Sequence, residues 1–132
     1  MLSRFSKVGH YMTKAPHSIE PNQSAADAKE KMIELGCKHL PVLSGGNVVG
    51  ILSDRDLLAA GYQTKTELKS VKVGEVMIEE VIQLDQDASI ADVVKKMKQN
   101  KVGSILITEN KKLLGIFTET DAIDLFENFL EN

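Results

Sequence analysis

Four times in this 132-residue chain a hydroxyl residue stands three positions before an aspartate: Ser24 with Asp27, Ser53 with Asp56, Ser89 with Asp92, and Thr118 with Asp121. The spacing suits two kinds of chemistry. At a helix start the hydroxyl accepts a hydrogen bond from the backbone three residues on, and the acidic side chain reaches back to the cap amide. The same carboxylate accepts only, so it can take two neighbouring hydroxyl donors, while the unpaired N–H groups and positive dipole end of the helix favour an anion. For the pairs at Ser24 and Ser89, capping accounts for the spacing. The pairs at Ser53 and Thr118 each follow directly on an apolar run with Gly50 or Gly115 three residues before the hydroxyl, and there capping and a ligand role both stand open.

These pairs belong to a larger duplication. Val8-Gly9-His10-Tyr11-Met12 returns as Val73-Gly74-Glu75-Val76-Met77, Ser24 to Asp27 as Ser89 to Asp92, and Gly50 to Asp56 as Gly115 to Asp121, always 65 residues later and without a gap. Such repetition marks two copies of one supersecondary unit, with a ligand cleft expected where they pair. Two units of about 60 residues are each marginal alone, so the halves are expected to share one core.

Each copy reads as strand, helix, hairpin, helix. In the first, His17-Ser18-Ile19 is the expected strand between Pro16 and Pro21. A helix from Ser24 to about Leu35 carries Ala25, Ala28, Met32 and Leu35 on one stripe and stops at Gly36, a residue suited to a left-handed C-terminal position. Leu40–Leu43 and Val48–Leu52 flank the hairpin signal Ser44-Gly45-Gly46-Asn47, and a second helix follows from about Asp54 to Ala60. The second copy predicts strand Val81–Leu84, a helix from Ile90 to about Gln99, strands Ile105–Ile107 and Leu113–Phe117, and a longer last helix with Ala122, Leu125, Phe126, Phe129 and Leu130 on one face. The boundaries read as repeat one over 1–61, a polar linker over 62–72, and repeat two over 73–132.

Composition narrows the function classes. Sixteen basic and 19 acidic residues give a net charge of −3 with no Lys/Arg block, which argues against a general nucleic-acid binder. The apolar runs are too short to span a bilayer. Cys37 is the sole cysteine, so a disulfide within the chain and a cysteine zinc cluster are excluded, and a reducing, cytoplasmic setting is expected. Met1 to Lys7 has no apolar stretch of the secretory kind. His10, His17 and His39 do not fall at metal-ligand spacings, and no activated nucleophile or isolated acid/base pair stands out, so the expectation is a protein that is not an enzyme and binds no metal.

The paired motifs Gly-Ile-Leu-Ser-Asp-Arg-Asp and Gly-Ile-Phe-Thr-Glu-Thr-Asp, with Lys38-His39-Leu40-Pro41-Val42 one hairpin earlier and Val-Gly-x-x-Met before that, resemble a CBS (cystathionine-β-synthase) domain pair, or Bateman module. The resemblance runs from Val8 to about Leu125. It implies an α/β (α+β) fold of two tandem β-α-β-β-α repeats packed as a pseudo-twofold disc, with two clefts that take adenosine-containing ligands. By that resemblance Ser53, Arg55 and Asp56 serve one cleft and Thr118, Thr120 and Asp121 the other, each aspartate taking the ribose hydroxyls. Thr13, Pro16, Lys38, His39 and Pro41 are expected to face Asp121, and Ile78, Val81 and Ser104 to face Asp56. The implied function is a nucleotide sensor for AMP, ADP or ATP, with S-adenosylmethionine and NAD(H) as further candidates, that needs no cofactor, forms a homodimer and modulates a partner protein. The competing reading is a dimerisation or partner-docking module without a physiological nucleotide. On the bland side, Lys38 and His39 read as solvated residues at a strand entrance and Arg55 as one half of a surface ion pair.

Overall fold

Helix α1 (Ala25–Leu35) starts where the Ser24 hydroxyl accepts the Asp27 amide at 3.0 Å, and stops at Gly36, whose φ of 65° only glycine adopts without penalty. In the computed structural model, which describes residues 2–61 and 65–131, the elements before it are a 3₁₀ turn at Val8–His10 and strand β1 (Thr13–Lys14). After it come β2 (His39–Ser44), β3 (Asn47–Ser53) and α2 (Asp54–Ala59). The short helices α3 (Lys65–Lys69) and α4 (Val73–Val76) lead to β4 (Gln83–Leu84), α5 (Ile90–Asn100), β5 (Ser104–Glu109), β6 (Lys112–Thr118) and α6 (Glu119–Glu131).

The mixed α/β architecture and the order of elements within each copy are as expected, whereas the compact units are not the sequence repeats. One unit is His17–Val81; the other joins Met1–Pro16 to Ile82–Asn132. Each copy's Val-Gly-x-x-Met segment thus folds with the body of the other copy. The Val8 amide donates to the Ala88 carbonyl at 2.8 Å and Gly9 to Gln86 at 2.9 Å; sixty-five residues on, Val73 donates to Gln23 and Gly74 to Pro21, both at 2.8 Å.

Each unit has an apolar cluster, and each cluster draws residues from both sequence copies. In His17–Val81, Ala28, Met32, Leu40, Val42 and Leu52 are buried with Val73; in the other unit Val93, Met97, Ile105, Ile107 and Phe117 are buried with Val8. The expected linker also contributes, since Leu68 on α3 and Val71 are 2% and 5% exposed in the first cluster; residues 62–64 of it lie outside the described residues.

The strand expected at His17–Ile19 is a single parallel bridge from Ile19 to Val42, and the expected Val81–Leu84 strand narrows to β4. The difference between the copies has a chemical cause. In the second, the Leu106 amide donates to the Ile82 carbonyl at 3.1 Å; the residue at that place in the first is Pro41, which has no N–H, so the ladder loses a rung.

Hairpins β2–β3 and β5–β6 keep the same register, Val42 opposite Gly50 and Ile107 opposite Gly115. Their two-residue turns both require positive φ: Gly45 and Gly46 at 59° and 82°, Asn110 and Lys111 at 51° and 68°.

Candidate functional site

Both Gly-h-h-Ser/Thr-x-x-Asp motifs, where h is apolar, run from a strand into a helix start. At α2 the Ser53 hydroxyl accepts the Asp56 amide at 3.1 Å and Asp56 Oδ2 accepts the Ser53 amide at 2.8 Å, a complete capping box. At α6 the Thr118 amide donates to Asp121 Oδ2 at 2.9 Å and the Asp121 amide to the Thr118 hydroxyl at 3.2 Å. Capping therefore orients both carboxylates, and both aspartates remain only half-buried.

The glycine of each motif is fixed by a close approach. A Cβ on Gly50 would lie 2.7 Å from Met77 Sδ and 2.9 Å from the Ile78 carbonyl oxygen. One on Gly115 would meet Met12 Sδ and stand 2.8 Å from the Thr13 carbonyl oxygen. So the Met of each Val-Gly-x-x-Met segment and the residue after it seat on the glycine of the other copy's helix-start motif. The two motifs are parts of one device.

That seating brings different chemistry to the two aspartates. β1 pairs with β6, Thr13 opposite Ile116, and the Thr13 hydroxyl donates to Asp121 at 3.0 Å (Oδ1) and 3.3 Å (Oδ2). In the other unit Ile78 occupies the corresponding place, bridged to Ile51 at 2.8 and 3.0 Å through both backbone hydrogen bonds, and supplies no side-chain donor.

Of the residues expected to face Asp121, Thr13 reaches it and Pro16 lies half-buried in the same unit. Lys38, His39 and Pro41 fold in the unit of Asp56: the Lys38 carbonyl accepts the Asp54 amide at 3.1 Å and His39 lies opposite Ser53. Ile78 and Val81 share that unit, whereas Ser104 sits in the other, opposite Thr118. The Pro41 and Ser104 side chains are buried, so neither is open to solvent, while Lys38, Arg55 and Thr120 are exposed. Burial pushes the Cys37 thiol up, against a thiolate nucleophile there. No group of three or more metal-ligating side chains gathers among the described residues, and no helix is long and apolar enough to cross a membrane.

Sequence reasoning missed the role of Met12 and Met77 as lids over the motif glycines. Their signal was present, in Val-Gly-x-x-Met recurring with the glycine motif at one fixed offset.

A doubled helix-start carboxylate on a doubled β-α-β-β-α frame is the pattern of one family. The CBS domain model matches residues 8–62 and again 73–128, and the chain belongs to that family. Curated relatives include the uncharacterized protein YlbB of Bacillus subtilis, 35% identical over 97 residues that span 72% of this chain and 65% of that protein. The uncharacterized protein MJ1232 of Methanocaldococcus jannaschii is 31% identical over 128 residues, spanning 96% of this chain and 42% of the relative. The chain thus spans less than two thirds of the length of either relative. Among solved structures, a putative acetoin utilization protein (AcuB) from Vibrio cholerae superposes with a TM-score of 0.85 at 30% identity, covering 96% of this chain and 94% of that one. The CBS domain pair of protein MJ0100, solved with 5′-methylthioadenosine and S-adenosyl-L-methionine, gives 0.85 at 25% identity, covering 95% and 98%.

Proposed function

We propose that this chain is a non-catalytic regulatory module, acting in the cytoplasm, that binds adenosine-containing ligands of the AMP, ADP or ATP class at the starts of α2 and α6 and alters its association with a partner protein. The observation that carries the reading is the pair of capped, half-buried carboxylates at Asp56 and Asp121, each acceptor-only and each in the first turn of a helix, at its positive dipole end. The MJ0100 pair, similar over nearly its whole length, was solved with two adenosine compounds, which supports this ligand class and S-adenosylmethionine among its candidates.

Asp56 and Asp121 take the ribose hydroxyls, and Ser53, Thr118 and Thr120 stand beside them. Lys38, His39 and Arg55 lie in the unit of Asp56, whereas the other copy has Gly103, Ser104 and Thr120 at those places, so the phosphate preference belongs to the Asp56 site. Calorimetry with AMP, ATP, S-adenosylmethionine and adenosine tests the proposal. Each of Asp56→Ala and Asp121→Ala should weaken its site about ten- to a hundred-fold, and AMP should bind tighter than adenosine until Lys38→Ala or Arg55→Ala removes the difference. A double aspartate variant that binds like wild type overturns the ribose assignment.

A dimerisation or docking module is the second reading. Ala122 and Leu125 of α6 pack on the apolar cluster of their unit, but Ile123, Phe126, Phe129 and Leu130 are 62–67% exposed. A second copy of the chain is the occupant proposed for this face, since contiguous apolar surface of this kind marks an interface.

A further inference from the structure

The unit formed by Met1–Pro16 and Ile82–Asn132 holds a cavity of about 410 Å³ whose wall includes Lys7, His10, Lys14, Ala15, Gln86 and Asp87. It is separate from the Asp121 site. Side chains alternate along a strand, so Lys14 leaves β1 on the face opposite Thr13, whose hydroxyl holds Asp121.

Four observations give this cavity its chemistry. Two ammonium groups and an imidazole face one carboxylate, in a chain whose net charge is −3. The Lys7–Asp87 pair, at 3.3 Å with side chains 55% and 70% exposed, is the weak surface kind, so the ammonium keeps donors for an incoming anion. The fold does not impose this charge: at the places of Lys7, His10 and Lys14 the other copy has Lys72, Glu75 and Glu79, all exposed, on the same supersecondary frame. Ala15, in the cavity wall, also holds a φ of 46°, a left-handed value costly for a residue with a Cβ and of the kind that gathers at ligand walls.

We propose that this cavity binds a small phosphate-bearing anion through Lys7, His10 and Lys14, a site additional to the adenosine sites and independent of them. The volume falls in the range of small-molecule sites and exceeds a bare phosphate ion, which favours a phosphomonoester.

The test follows the His10 ring resonances of the full chain by proton NMR during titration with inorganic phosphate and, separately, glycerol 3-phosphate, with His10→Gln for assignment. A saturable shift is expected, with affinity falling about ten-fold or more in Lys14→Glu and Lys7→Gln and rising in Asp87→Asn. The tighter of the two probes names the source of the phosphate. The Asp56→Ala/Asp121→Ala double variant should titrate like wild type, so this site and the adenosine sites can fail separately. Absence of a saturable His10 shift, unchanged affinity in Lys14→Glu, or loss of the shift in a folded double aspartate variant overturns the proposal.

Discussion

The hydroxyl of Thr13 donates to the carboxylate of Asp121 at 3.0 Å across 108 residues of chain, and it does so because β1 folds against β6 rather than with its own copy. The other aspartate, Asp56, has Ile78 at the corresponding place. The duplicated frame thus holds one carboxylate fastened from both sides and one fastened by its helix cap.

Thr13→Val keeps the shape of the side chain and removes this hydrogen bond. Stability should fall by about 0.5–1.5 kcal/mol, at the modest end for a bond to a charged acceptor because Thr13 is exposed. Urea denaturation of the variant checks the value, and Ile78→Val, which breaks no such bond, serves as the control.

Gly115→Ala and Gly50→Ala place a methyl group against Met12 or Met77 and against a backbone carbonyl, at 2.8 Å for Thr13 and 2.9 Å for Ile78. Each should destabilise by about 1–3 kcal/mol. Adding Met12→Ala to Gly115→Ala should restore little, because the carbonyl cannot move aside as a thioether can. Thermal unfolding of the single and double variants measures the coupling.

Two lysines occupy backbone conformations that glycine holds in the other copy: Lys101 at φ 53°, matching Gly36 at the helix C-terminus, and Lys111 at φ 68°, matching Gly46 in the hairpin. Relief of left-handed strain exceeds the added unfolded-chain freedom of glycine, so Lys101→Gly and Lys111→Gly should each stabilise by about 0.5–1 kcal/mol. Denaturant midpoints decide it, and a loss of stability in both would contradict the strain argument.

The exposed apolar face of α6 should carry the proposed homodimer. Phe126→Glu with Phe129→Glu leaves Ala122 and Leu125 in place and should convert a dimer to a monomer in light scattering, with little change in the circular dichroism spectrum. A wild-type monomer, or a dimer that survives both substitutions, would remove this face from the interface.

The sequence by itself determined the long helices, the hairpins and their caps, because those depend on neighbours. Ser24, Ser53, Ser89 and Thr118 sit three residues from the amides they cap, Gly36 follows the helix it ends, and Gly45-Gly46 lies between the strands it turns. It also determined the family, since the motif pairs recur at one offset. Tertiary structure decided which copy's Val-Gly-x-x-Met segment folds with which body: those contacts run through the backbone carbonyls of Gln86, Ala88, Pro21 and Gln23, which any residue possesses and no side chain announces. That exchange brings Thr13 to Asp121, places Lys14 on the opposite face of β1, and buries Leu68 and Val71 of a stretch polar enough to read as linker. Burial and long-range pairing depend on where the chain returns in space, so the residue types of Pro41, Ser104 and Leu68 could suggest a role, and only the folded chain assigned them to the interior.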